Sequence, residues 1–161
     1  MTATAIDMQV LLGETPFFRN FPAPMLGRIA QYARSESFKP GQYLIRDGEA
    51  ANNFFLIRYG TVAIELAAPP TGRITLQTVG EGELLGWSWL NPPYRWSFDG
   101  VAVTLVRTVC IDAQKLRADF ETDHELGYHL FQRMVPVMAG RLTAARLQML
   151  DLYGLPPANS D

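Results

Sequence analysis

Over residues 7–34 the apolar positions recur at helical spacing in two short blocks: Val10-Leu11-Leu12, then Met25, Leu26, Ile29, Ala30 and Tyr32. Between them, Pro16-Phe17-Phe18-Arg19-Asn20-Phe21-Pro22 interrupts any continuous helix, because proline lacks an N–H and its ring clashes with the preceding turn. From residue 36 to 112 the pattern changes to short runs of β-branched and aromatic residues separated by turn signals. Phe38-Lys39-Pro40-Gly41 and Arg46-Asp47-Gly48-Glu49 are two such signals, and Asp-Gly is hairpin chemistry because glycine accepts positive φ. Residues 54–58 and 61–66 read as paired strands around Tyr59-Gly60. Pro69-Pro70-Thr71-Gly72 then turns the chain into a strand over 73–79, and 101–111 supplies one or two more. A parallel sheet needs intervening helices, and none is predicted here, so the strands point to a sandwich or barrel.

The last third reads as helix. Asp112 is placed to N-cap a short helix over 113–120, and Thr122-Asp123-His124-Glu125 has the form of a capping box with Thr122 at the cap. A helical pattern continues to about 152, with one apolar stripe through Leu126, Leu130, Met134, Met138, Leu142, Ala145, Met149 and Leu152. Pro136 predicts a kink in this run or a junction between two helices. Gly154, followed by Pro156-Pro157, ends it. The expected organisation is one domain over 1–154, with helices in 7–34, strands in 36–112 and helices in 113–153, then a disordered tail over 155–161.

Composition narrows the chemistry. The 161 residues are 48% hydrophobic and 19% charged, a globular balance. A formal net charge of −2 lacks the basic footprint of a nucleic-acid binder. The single cysteine, Cys110, excludes an internal disulfide framework and a four-cysteine metal site, and its apolar neighbours predict a buried, inert thiol. His124 and His129 are five apart, which does not place them on one helix face, so no metal site is expected. Ser88 lacks a Gly-x-Ser-x-Gly context, and the sequence suggests no catalytic machinery. No apolar run reaches the length of a membrane span, and the N-terminus has no signal-peptide pattern, so a cytoplasmic location is expected.

Three blocks in order carry a resemblance. They are Phe38-Lys39-Pro40-Gly41-Gln42-Tyr43-Leu44-Ile45-Arg46-Asp47-Gly48-Glu49-Ala50, then the run from Phe54-Phe55-Leu56 through Tyr59-Gly60 to Ile64, then Val79-Gly80-Glu81-Gly82-Glu83-Leu84-Leu85-Gly86 leading to Arg95. Together they resemble the cyclic nucleotide-binding domain, the sensor of Crp/Fnr-type regulators and of cyclic-nucleotide-gated channels and kinases. The resemblance implies an α+β fold: a jelly-roll-like β-roll flanked by N-terminal helices and a long C-terminal helix. It makes the third block a phosphate-binding cassette, with the phosphate on the N–H groups after Gly86, including Ser88, and on Arg95. A helix start favours an anion, and a guanidinium matches phosphate oxygens, which is the physical sense of that arrangement. Ser97 is placed to donate nearby, and Thr143 or Arg146 on the long helix to face the base.

This cassette departs from the family at two positions. The family's ribose-binding glutamate after the glycine is here Trp87, and the small residue after the arginine is here Trp96. Loss of a charge-assisted bond weakens binding about ten- to hundredfold. Trp87 and Trp96 read either as an aromatic box around a planar effector or as packing; Trp89 reads as packing. The expected function is regulatory, not enzymatic. The chain senses cyclic AMP, cyclic GMP or a related anionic effector, with no other cofactor, and signals through the C-terminal helix. The alternative is a ligand-free interaction module that kept the fold. The resemblance also implies a homodimer along the helix at 123–152, flanked by Arg141 and Arg146. No DNA binding is expected, because residues 154–161 are too few for a helix-turn-helix module.

Overall fold

The computed structural model describes residues 5–70 and 72–154. The expected tail over 155–161 lies outside the described residues. Two helices open the chain, α1 (Ala5–Glu14) and α2 (Ala23–Gln31), with a 3-10 turn at Pro16–Phe18 between them. Eight strands follow: β1 (Ala33–Phe38), β2 (Tyr43–Ile45), β3 (Asn53–Tyr59), β4 (Val62–Ala67), β5 (Arg73–Val79), β6 (Leu84–Leu85), β7 (Asp99–Ala102) and β8 (Val106–Asp112). Helices α3 (Ala113–Asp119) and α4 (His124–Leu152) are the last elements among the described residues. The strands form two four-stranded antiparallel sheets, in the orders β1-β8-β3-β6 and β2-β7-β4-β5. This is the α+β roll that the resemblance implied.

Two turn readings change. Residues 54–58 and 61–66 are strands, but not a pair: β3 bonds β8 and β6, while β4 bonds β5 and β7. Tyr59-Gly60 therefore carries the chain from one sheet to the other. Gly60 has φ +90°, and a Cβ there would meet the carbonyl oxygen of Leu105. The Asp47-Gly48 turn likewise separates β2 and β3, which lie in different sheets. Local turn chemistry is the same for a hairpin and for a crossing, so only the distant partners decide which forms. The turn at 68–72, by contrast, does join paired strands, with the Ala68 N–H donating to the Gly72 carbonyl at 2.6 Å.

The core lies between the sheets and under the helices. Phe54, Phe55, Leu56 and Ile57 of β3 are all buried, as a strand covered on both faces requires. Phe54 stacks on Trp89 at 4.7 Å between centroids, and Trp89 in turn meets Phe120 at 6.1 Å. Trp89 is 0% exposed and is a packing residue, as read. Cys110 is buried in β8, and desolvation pushes its thiol pKa up to about 12, so it stays a protonated apolar filler.

Asp112 caps α3 as expected, accepting from the Lys115 N–H at 3.0 Å. For α4 the cap is Asp123, one residue after the expected Thr122: its carboxylate accepts from the Leu126 N–H at 3.0 Å and also pairs with Arg28. The Thr122 hydroxyl instead donates back to the Asp119 carbonyl at 3.4 Å. The Leu126 N–H, and then Arg28, hold the Asp123 carboxyl below its ordinary 3.8. A depressed folded value means that this contribution is present above the unfolded pKa and is lost as pH falls through the lower folded one. The melting-temperature gap between wild type and Asp123→Ala should thus be full at pH 7 and shrink below pH 3.8. A gap that is constant down to pH 2.5 would refute the cap's ionic character.

Helix α4 runs unbroken through Pro136 for 29 residues, which removes the junction from the two alternatives expected there. Its apolar stripe is in fact two. Leu126, Leu130 and Met134 are buried against the chain's own core. Leu142, Met149 and Leu152 are 53%, 55% and 86% exposed. Successive steps of four advance 400°, so a row that starts facing the roll has turned toward solvent after four turns.

Candidate functional site

The segment after β6 carries the cassette residues. Gly86 sits at φ +101°, followed by a 3-10 turn over Ser88–Leu90. The stretch 94–96 is pinned beside 48–51: the Gly48 N–H donates to the Trp96 carbonyl at 2.8 Å, the Trp96 N–H to the Glu49 carbonyl at 2.9 Å, and the Ala51 N–H to the Tyr94 carbonyl at 2.7 Å. Side chains alternate along such a bonded stretch, so Trp96 turns inward and Arg95 outward. Arg95 is exposed, and its Nη1 donates to the Gly48 carbonyl at 2.8 Å. Trp96 is 5% exposed, and its ring covers Gly86 so closely that a Cβ there would lie 2.5 Å from Cη2 and 2.8 Å from Cζ3. An indole thus covers the Cβ side of Gly86, next to the N–H groups on which a cyclic phosphate is expected.

Open volume lies between the second sheet and α4. A cavity of about 320 Å³ is lined by Ile64, Leu76 and Gln77 of β4 and β5, by Trp87 and Phe98, and by Met138, Arg141, Leu142, Ala145 and Gln148 of α4. A second, of about 730 Å³, lies toward Pro16, Phe17, Glu83 and Pro136 and shares Gln77, Arg141 and Gln148 with the first. Arg141 stands between them. Its Nη2 donates to the Leu84 carbonyl, and its guanidinium lies 4.9 Å from the Trp87 ring centre. Its Nη1 is buried with no hydrogen-bond partner among the described residues. Burial lowers the guanidinium pKa, and the nearby Glu83 charge only partly opposes that. Gln77 Nε2 donates to the Arg141 carbonyl at 3.0 Å, and Gln148 Nε2 donates to the Leu76 carbonyl. These three side chains tie the C-terminal half of α4 onto the roll.

Of the residues singled out from sequence, Gly86, Trp87 and Trp96 come together around the end of β6. Trp87 is the one that lines a cavity. Ser88 begins the 3-10 turn and is half-buried, whereas Arg95 and Ser97 are exposed on the neighbouring stretch. Thr143 and Arg146 are exposed on α4, and neither lines either cavity. Arg141, taken from sequence only as a flank of the helical seam, is the residue that reaches inward, with Gln77 and Gln148. The signal for it was in the spacing: Met134, Val137, Arg141, Ala144 and Gln148 follow one another at three- and four-residue steps, and a cation on that inward face needs a partner.

Comparison with known proteins supplies the family. The family model for the cyclic nucleotide-binding domain matches residues 35–123. Isozyme 1 of the cGMP-dependent protein kinase of Drosophila melanogaster is 32% identical over 77 residues, which is 47% of this chain and 10% of the kinase. The chain thus spans only a small part of that relative. Among solved structures, a candidate cyclic nucleotide-binding protein from Geobacter metallireducens GS-15 superposes with a TM-score of 0.74 at 25% identity, covering 87% of this chain and 98% of that one. The regulatory subunit of a cAMP-independent protein kinase A from Trypanosoma cruzi, bound to guanosine, gives 0.69 at 24% identity, covering 94% and 53%.

Proposed function

This chain belongs to the cyclic nucleotide-binding domain family, and from that premise we propose that it is a regulatory sensor of a cyclic nucleotide or a related anionic effector. The cavity between the roll and α4 carries the reading: an apolar, aromatic-lined space with a few convergent polar groups has the make-up of a small-molecule site. An effector there meets Arg141 and Gln148, the same side chains that hold α4 down, so occupancy and helix position are coupled. A ligand that binds the native state alone raises its melting temperature in a saturable way. Cyclic AMP, cyclic GMP and cyclic dinucleotides are the panel to titrate, and a flat response to every member sinks the cyclic-nucleotide assignment.

A second reading, a dimerisation module that has lost its ligand, draws on a different observation. Tyr128, Phe131, Val135, Met138, Leu142, Ala145, Met149 and Leu152 follow strict three–four spacing along α4. Of these, Tyr128, Phe131, Val135, Leu142, Met149 and Leu152 are exposed. That is the a/d seam of a two-stranded coiled coil, and a second copy of the chain is the occupant whose pattern matches it. The two readings share the dimer. Met149 lies on the seam and lines neither cavity. Met149→Glu is therefore expected to convert a dimer at tens of micromolar into a monomer in sedimentation while leaving the fold intact. A monomeric wild type at that concentration removes the seam from both readings.

A further inference from the structure

We infer that the effector's negative charge is held by Arg141 on α4 and not by Arg95 of the cassette, so that the ligand class is a flat, largely apolar molecule carrying one anionic group. The inference rests on the sensor reading and deepens it. A guanidinium has five N–H donors, and a buried one without a counter-charge pays a desolvation penalty that an anion would offset. Arg141 is close to that position: among the described residues Nη2 has a neutral carbonyl, Nη1 has no partner, and Glu83, whose charge acts on it, forms no ion pair with it. Arg95, the cassette's cation, is already bonded to the Gly48 carbonyl and lies in water.

Two features of the cavities locate the anion. The larger one includes Glu83, whose carboxylate repels a second negative charge. In the smaller one Arg141 is the sole charged residue among the described ones, and the rest of the wall is aliphatic and aromatic, Trp87 and Phe98 included, with two carboxamides. One cation among aromatic and aliphatic walls selects a monoanion with a planar body. The Trp96 ring meanwhile crowds the Gly86 backbone on the cassette side, whereas the helix side offers an unpartnered guanidinium nitrogen.

The test uses two pairs of probes that differ in the anionic group: cyclic GMP against guanosine, and 2-naphthoate against 2-naphthamide, each titrated by quenching of the tryptophan fluorescence. In the wild type the charged member of at least one pair should bind about ten- to hundredfold more tightly than its neutral counterpart. Arg141→Gln should erase that preference, and Arg95→Gln should keep it. Where Arg141→Gln fails to fold, Arg141→Lys carries the comparison: it keeps the charge without the planar fork, and the preference should fall severalfold. A preference lost in Arg95→Gln and kept in Arg141→Gln places the anion in the cassette and overturns this inference while sparing the sensor reading. Equal affinities within both pairs, or a Lys variant with an unchanged preference, overturn it as well. Failure of all four probes to bind overturns it together with the sensor reading.

Discussion

Gly60→Ala is expected to remove about 2–6 kcal/mol of stability, while Gly41→Ala, at nearly the same backbone angle, removes only about 1–3. The two glycines have φ +90° and +88°, so the cost of forcing a side chain into the left-handed region is common to both. Space separates them. A Cβ on Gly41 meets nothing within 4 Å, whereas one on Gly60 collides with the Leu105 carbonyl oxygen and lies 2.7 Å from Thr104 Oγ1. The first of these walls is main chain, two residues after Val103, whose N–H donates to the Thr61 carbonyl at 2.9 Å, and it cannot rotate away as a side chain would. Urea denaturation of the two variants isolates the difference. Equal losses would mean that the crossing from β3 to β4 has room to relax and is not the tight point of the roll.

The same crossing shows where reading from sequence stops. That residues 53–59 and 62–67 are strands was legible from their apolar and β-branched runs, and that Tyr59-Gly60 turns was legible from the glycine. That the two strands belong to different sheets was not, because the information sits in β8 and β7, 34 to 59 positions away. The helical cap slipped for a related reason. Thr122 and Asp123 both carry cap-competent oxygens, and the choice between them is made by Arg28, 95 residues earlier in the chain, which pairs with Asp123.

At the site, sequence gave the neighbourhood and lost the direction of the side chains. Gly86, Trp87, Trp96 and the long helix do converge, since the resemblance orders them along a roll of known connectivity. Which residue of a neighbouring pair points inward depends on backbone pairing: the bonds from 48–51 to 94–96 send Trp96 in and Arg95 out. On α4, Arg141 and Arg146 are equivalent as letters, yet five residues correspond to 500°, so they lie on different faces. Only the packing of Leu126, Leu130 and Met134 against the core fixes which face that is.

Trp96→Ala should therefore be the most informative single change at the site. Truncating a buried indole that is 5% exposed costs about 3–5 kcal/mol, a large share of a typical domain's stability. In a cycle with Gly86→Ala the two losses should not add. In the wild-type background the new methyl meets both the unfavourable φ of +101° and the Trp96 ring; without the ring only the backbone strain remains. The coupling should be about 1–3 kcal/mol, with the double variant more stable than the sum of the singles predicts. Strict additivity would show that the ring does not rest on Gly86 in solution. Binding should respond in parallel. With the indole gone, a cyclic phosphate gains access to the Gly86 backbone, and affinity for cyclic GMP should rise at least about tenfold in calorimetry, a gain of roughly 1.4 kcal/mol. That gain, unlike any wild-type affinity carried by Arg141, should vanish when Arg95→Gln is added, because only the opened cassette draws on Arg95. An unchanged affinity in Trp96→Ala would mean that the ring is not what keeps the phosphate out.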